Sequence, residues 1–295
     1  MVMHLNWKKK NNTAFLYMEH DMGKVCILVV SHNFPALTDS LCDKIVQNTK
    51  GVDYDLHVIE TGSSLDNCSK YATLWVKDGC RMTRGFNLLK AHADAVLKYK
   101  TGERYDAYML FVNDAKFIDD QDMVSILYNE MKKHPDCGQI HPYQSNMHSG
   151  FRRLCKMTEG ETRKESFSEI VCPMILADAW DECGEDFLDN RFFYGWGLDY
   201  DMPYQLHRNG YRTYITDKIG VFHDPFTSYK NKEQTKEKLE VNQFAQLARQ
   251  NMNQGFVQKY GTDWMQVLMD GVPADVSKEA LYMWLSNNDG FRGRL

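Results

Sequence analysis

The sequence lacks several features that would announce a function class at once. Its eight cysteines are scattered and form no Cys-x-x-Cys pair. Zinc fingers and thioredoxin-type sites need thiols at that spacing, so neither is expected. No uninterrupted apolar run approaches the roughly 18 residues of a membrane helix. The N-terminal stretch, MVMHLNWKKKNNTAFLYMEHD, has basic residues but no apolar segment of the kind a signal peptide carries. Excess positive charge is missing too. The net charge of −5 supplies no general footprint for nucleic acid and leaves room only for a local basic groove. There is no internal repeat and no linker-like stretch between domains. On these grounds a soluble protein with mostly reduced thiols is expected, cytoplasmic by default.

What is present is a chain able to build a large core. Its 295 residues are 43% apolar and 13% aromatic, enough for one large α/β domain or two small ones. Residues 24–31, KVCILVVS, form a continuous apolar run, as in a strand buried on both faces of a parallel sheet. The run ends in the polar tail Ser31-His32-Asn33, followed by a helix with Leu37, Leu41, Ile45 and Val46 on its apolar side. Residues 55–60 read as a second strand ending Glu60-Thr61-Gly62-Ser63-Ser64, and residues 73–77 as a third. Arg84-Gly85-Phe86-Asn87 reads as a turn that opens a helix, and YMLFV at 108–112 as a strand ending Asn113-Asp114-Ala115. A helix is expected over about 120–133. Residues 142–168 are polar and read as a long loop, with a strand at 170–176 and a short helix at 177–183 after it. Alternating strands and helices imply an open, largely parallel sheet, whose ligands sit at the carboxyl ends of the strands. The polar tails fall at those ends.

The stretch 192–223, FFYGWGLDYDMPYQLHRNGYRTYITDKIGVFH, adds a Trp-Gly corner, two carboxylates (Asp199 and Asp201) and a helix stopped by Asn209-Gly210. A β-like segment at 211–216 and then Val221-Phe222-His223 complete it. An acid at a helix start is expected to be held ionised by the first-turn amides, and an ionised carboxylate beside a cleft can serve as a general base. Simple capping by Asp199 and Asp201, with His223 as an ordinary surface histidine, stands open beside that reading. Residues 230–251 are expected to form a charged helix that buries Leu239, Phe244 and Leu247. Trp264, Val267, Leu268, Leu281, Met283 and Trp284 give the tail enough apolar surface to pack.

In their order (SHN, an acid then TGSS, NDA, then DECGEDFLDNRFFYGWGLDYD and a late His) these pieces resemble the family-2 inverting glycosyltransferases of the GT-A fold. The resemblance covers about two-thirds of the chain. It implies an α/β, Rossmann-like, open mixed and largely parallel sheet flanked by helices, with a helical C-terminal extension. The corresponding division is an arm at 1–23, a GT-A domain at 24–228 and an extension at 229–295 packed on that domain. By the same resemblance, Ser31, His32, Asn33, Glu60, Thr61, Gly62, Arg84, Asn87, Asn113 and Asp114 would bind a nucleotide-sugar donor, a UDP-sugar by the family pattern. Asp199 would be the catalytic base for single-displacement transfer to a glycan or other hydroxyl-bearing acceptor. Tyr194, Trp196, Gly197 and Asp201 would meet that acceptor. Asp114 and His223 would hold a divalent cation, Mn²⁺ or Mg²⁺. The chain departs from the family at three of these places. Ala115 replaces the last acid of the Asp-x-Asp motif, Leu198 replaces the acid before Asp199, and Gln205 stands where relatives carry Arg. Leaving-group stabilisation by Arg152 or Arg153 from the long loop is the metal-free alternative. A catalytically silent nucleotide- or glycan-binding module is the alternative function. A sugar nucleotidyltransferase is disfavoured, because no Gly-rich basic loop follows the first strand.

Overall fold

A computed structural model of the chain describes residues 23–145, 152–158, 160–223, 241–279, 281–282 and 285. The expected arm, the middle of the long loop, the first half of the 230–251 helix with Leu239, and Met283 and Trp284 lie outside the described residues.

The first half alternates strand and helix: β1 (Lys24–Ser31), α1 (Pro35–Asn48), β2 (Asp53–Thr61), β3 (Ala72–Val76), α2 (Arg81–Thr101), β4 (Ala107–Val112), β5 (Ala115–Phe117) and α3 (Met123–Lys132). There follow β6 (Cys137–Gln144), β7 (Thr162–Glu165), β8 (Met174–Leu176), α4 (Ala177–Cys183), α5 (Leu198–Arg208) and β9 (Arg212–His223). Two further helices, α6 (Val241–Tyr260) and α7 (Trp264–Asp270), come last. All nine strands form one sheet in the order β3-β2-β1-β4-β8-β6-β9-β5, with β7 also paired to β9. The strands β3, β2, β1 and β4 are mutually parallel, and β8 runs antiparallel to both its neighbours, β4 and β6. The sheet is therefore mixed, parallel on its first side.

Period-two alternation explains why β1 reads as unbroken apolar sequence. Cys26 and Leu28 join the core on the side of α2, α4 and α5, whereas Val25, Ile27 and Val29 join the core under α1 and α3. Full burial of each such side chain contributes roughly 1.5–3 kcal/mol, so helices on both faces are energetically required. All eight cysteines are unbridged.

Several local expectations are corrected. Arg84-Gly85-Phe86-Asn87 is no turn but the interior of the first turns of α2. A Cβ at Gly85 would stand 3.2 Å from both Val30 methyls, so this glycine lets the helix lie close on the end of β1. The stretch 142–168 contains β7 and the end of β6, and β9 is one strand where two segments were expected. Its register against β6 jumps from Pro142–Thr216 to Tyr143–Gly220, the irregularity that made it read as two pieces. Phe244 is buried as expected, but Leu247 is 39% exposed. The inward side of α6 is instead Phe244, Ala248, Met252 and Phe256.

Candidate active site

The polar tails of β1, β2 and β4 meet through a few side chains. Ser31 and Thr38 share a hydroxyl–hydroxyl bond of 2.8 Å, and Asn113 Nδ2 donates to Thr38 Oγ1 at 3.3 Å. The first turn of α1 thus ties the end of β1 to the end of β4. Asn33 adopts a left-handed conformation (φ 54°), unusual for a residue with a side chain. Its amide donates to Ser63 Oγ at 2.9 Å, and its Oδ1 accepts from the Ser64 amide. His32 Nδ1 donates to the Thr61 carbonyl at 2.5 Å, and the Gly62 amide donates to Val76 O. Glu60 is fully buried, one carboxylate oxygen taken by Ser63 Oγ and the other by the Ser69 amide. Seven expected donor-binding residues, 31–33, 60–62 and 113, therefore gather on one rim. Asn87 does not turn to it: its amide donates to the Leu188 carbonyl at 2.7 Å. Arg84 is exposed on α2, one residue from the Gly85 contact with Val30.

A charged cluster lies beyond that rim. Ala115 pairs with His223 across the antiparallel β5–β9 contact, and this register sets Asp114 Oδ1 3.5 Å from His223 Nε2. The other ring nitrogen, Nδ1, stands 3.7 Å from Glu169 Oε2. Burial opposes a charged ring, yet the two flanking carboxylates push its pKa up to about 10. Glu169 is buried and also receives the Gln144 side-chain amide.

Asp199 sits in the first turn of α5, which begins at Gly197. The residue as a whole is only partly accessible. One of its carboxylate oxygens accepts the Ile170 amide at 2.8 Å. The expectation that the helix start holds it ionised is overturned. Burial first, and then the neighbouring charge of Glu169, push its pKa up to about 8, against the pull of the Ile170 amide and His223. Pro203 lies four residues on and has no N–H to give the Asp199 carbonyl. That carbonyl instead accepts the amide of Ser168 at 3.2 Å. Residues 168 and 170 therefore grip Asp199 by main chain and side chain, with Glu169 between them facing His223.

Two members of the expected acceptor set are placed differently. Asp201 is not in the cleft. It is fully buried on the far side of α5, bonded to Lys259 Nζ at 2.8 Å, Tyr260 OH at 2.5 Å and Gln205 Nε2 at 2.7 Å. This also gives Gln205 its role, since it bridges Asp201 to the carbonyls of Asp186 and Phe187. Gly197 is required by geometry: its φ is 101°, and a Cβ there would stand 2.7 Å from the Phe192 ring. Tyr194 and Trp196 are half-buried, edge-on to Phe244, with Arg81 over the first ring and Arg249 over the second. Arg153 lies in a bidentate pair with buried Glu165, committed to the interior rather than to a leaving group.

Sequence reasoning missed Glu169, Pro203 and His141. His141 is fully buried, its Nδ1 donating to the Pro142 carbonyl, and burial holds its pKa down to about 4. The i,i+4 spacing of Asp199 and Pro203 was readable and would have marked the Asp199 carbonyl as needing an outside donor. Nothing in the string FSEIV singles out Glu169.

Among the described residues, no group of three or more His, Cys, Asp or Glu side chains is arranged to hold a metal ion. No helix among them is long and apolar enough to cross a membrane. No curated protein sequence matches the chain. Among solved structures, it is similar to the mannosyltransferase PcManGT from Pyrobaculum calidifontis in complex with GDP-Man and Mn²⁺. The TM-score is 0.52 at 10% identity, over 92% of this chain and 81% of that one. It is also similar to GalNAc-T7 with UDP, GalNAc and Mn²⁺, with TM-score 0.51 and 9% identity over 84% of this chain, spanning 59% of that one. The fold is that of the GT-A glycosyltransferases. Residues 117–267, just over half of the sequence, match the family model described as "Protein of unknown function (DUF707)", and the chain belongs to that family.

Proposed function

We propose that this protein is an inverting glycosyltransferase that moves a sugar from a nucleotide-sugar donor, a UDP-sugar first among candidates, to an acceptor hydroxyl. The observation that carries the reading is that Asp114, next to the rim residue Asn113, faces His223, whose charge together with that of Glu169 reaches Asp199, in a fold whose solved relatives hold nucleotides and sugars. The donor lies along residues 31–33, 60–62 and 113–114, with its diphosphate toward Asp114 and His223. With both Glu60 oxygens already bonded, a nucleobase would be read by neighbouring main chain or by displacing Ser63.

Asp199 is the base. Its Ile170-bonded oxygen is fixed, and the other accepts the proton of the acceptor hydroxyl. The acceptor oxygen attacks the anomeric carbon as the bond to the diphosphate oxygen breaks, and a single displacement inverts the configuration. With its pKa raised to about 8, Asp199 is a stronger proton acceptor than an ordinary carboxylate once deprotonated, so turnover is expected to rise with pH through that value. Tyr194 and Trp196 provide the aromatic surface on which an acceptor sugar stacks.

One carboxylate and one imidazole, both partly accessible and 3.5 Å apart, would hold a divalent cation only as it displaces the proton that the flanking carboxylates otherwise keep on His223. Mn²⁺ or Mg²⁺ held by Asp114 and His223 would neutralise the departing diphosphate. The test is release of nucleoside diphosphate from a panel of UDP-, GDP- and dTDP-sugars with candidate acceptors, and the anomeric configuration of any product by NMR. Turnover with inversion is expected. Nucleotide binding without turnover, with every donor and acceptor, would favour a silent binding module.

A further inference from the structure

The segment Ser168–Glu169–Ile170 belongs to no helix or strand, yet it touches both halves of the site. Its two flanking amides are spent on Asp199, one on the carbonyl that Pro203 leaves open and one on the carboxylate. It is anchored from beneath by two side chains of β6: Gln139 donates to Ser168 Oγ at 2.5 Å, and Gln144 donates to Glu169. With the main chain fixed on both sides, the Glu169 carboxylate stands 3.7 Å from His223 Nδ1, an ion-pair contact, while Asp114 lies 3.5 Å from Nε2 of the same ring.

We infer that Glu169 is the positioning residue of this site: it holds His223 by Nδ1, so that Nε2 is presented to the cleft beside Asp114, and it ties that orientation to the placement of Asp199. The inference rests on the transferase reading for its purpose but not for its geometry. An imidazole that binds a cation needs its second nitrogen protonated and held, because that bond fixes both the tautomer and the ring plane. A neutral side chain in this place would bond Gln144 equally well. Glu169 also lies against the ring nitrogen opposite the Asp114 contact.

Glu169→Gln separates the two roles, since it keeps the shape and an acceptor for Gln144 but removes the charge that holds the ring. The first readout is the imidazole NMR signal of His223, assigned with His223→Ala. The expected result is a slowly exchanging Nδ1 proton in the wild type that is lost in E169Q. The second is the Mn²⁺ concentration needed for thermal stabilisation by nucleoside diphosphate. It is expected to rise about 10–100-fold in E169Q, with any metal-free nucleotide shift unchanged. Should E169Q fail to fold, Glu169→Asp retracts the same charge by one methylene and is expected to give an intermediate loss in both readouts. A wild-type Nδ1 signal and a wild-type Mn²⁺ requirement in the variant would overturn the inference. If the wild type itself ignores nucleotide and Mn²⁺, the transferase reading fails, and the imidazole spectra still decide what holds His223.

Discussion

Asp114 and His223 lie 109 positions apart in sequence and 3.5 Å apart in space, because Ala115 and His223 are partners across the antiparallel β5–β9 pair. β5 has three residues and pairs only with the last three of β9. A short piece of sheet therefore creates the charged end of the site. The charges of His223 and of Glu169 beside it both reach the Asp199 carboxylate.

Removing the Asp199 carboxylate should stop chemistry and spare binding. Asp199→Asn is expected to lower turnover by about 10²–10⁴-fold while nucleotide-dependent stabilisation stays at the wild-type level. Nucleoside diphosphate release and thermal shift, measured on the same preparation, check both halves.

Pro203 is costly within a helix, and here it leaves the Asp199 carbonyl to the Ser168 amide. Pro203→Ala restores an N–H that competes for that carbonyl. The expected outcome is an unchanged or raised melting temperature with lower turnover, read by calorimetry beside initial rates. A proline that served packing alone would give lost stability and unchanged turnover.

Lys259 is the cation for two buried acids, lying 2.8 Å from Asp201 and 3.1 Å from Asp189. Asp189 keeps Arg191 at 2.5 Å, but Lys259→Met leaves buried Asp201 without a cation and is expected to cost about 3–5 kcal/mol at neutral pH. The pH dependence has a definite sign. Burial raises the Asp201 pKa above the ordinary value, against the pull of Lys259 and Tyr260. The folded state thus binds its proton more tightly than the unfolded chain, and loss of Lys259 widens that gap. Stability of the variant should fall as pH rises above the ordinary Asp range of about 4 and recover as pH is lowered toward it. Denaturant midpoints measured from about pH 4 to pH 8 test this.

Gly197→Ala tests the corner that delivers Asp199. With φ at 101° and the Phe192 ring 2.7 Å from the added Cβ, a loss of about 2–4 kcal/mol is expected. Chemical denaturation reads it directly. A stable variant with only a raised acceptor KM would instead return Gly197 to the acceptor site.

The legible parts of the fold were those whose signal is local. The run KVCILVVS announced a strand covered on both faces, and Asn209-Gly210 announced the end of α5. Long-range decisions were hidden. Three residues of β5 and four of β7 are too few for periodicity to register, and both exist because β9 offers them an edge. The Gly85 segment looked like a turn because glycine usually marks one, whereas here its missing side chain lets α2 rest on Val30. Asp199 was placed at a helix start correctly. Its ionisation was misjudged because local helix amides were weighed without the burial and the Glu169 charge that the fold adds. Asp201 looked like its partner but lies on the opposite face of α5, against Lys259, as a two-residue spacing on a helix dictates.

The most direct test is thermal stability with UDP, GDP, dTDP and CDP, each with and without Mn²⁺, in the wild type and in His223→Ala. A ligand that binds only the folded state, at 100 times its dissociation constant, adds about 2.7 kcal/mol, which is readily seen as a shift in melting temperature. The expected result is stabilisation of the wild type by one nucleotide in the presence of Mn²⁺, lost when His223 is removed. No stabilisation of the wild type by any of the four, with or without the cation, would contradict the account.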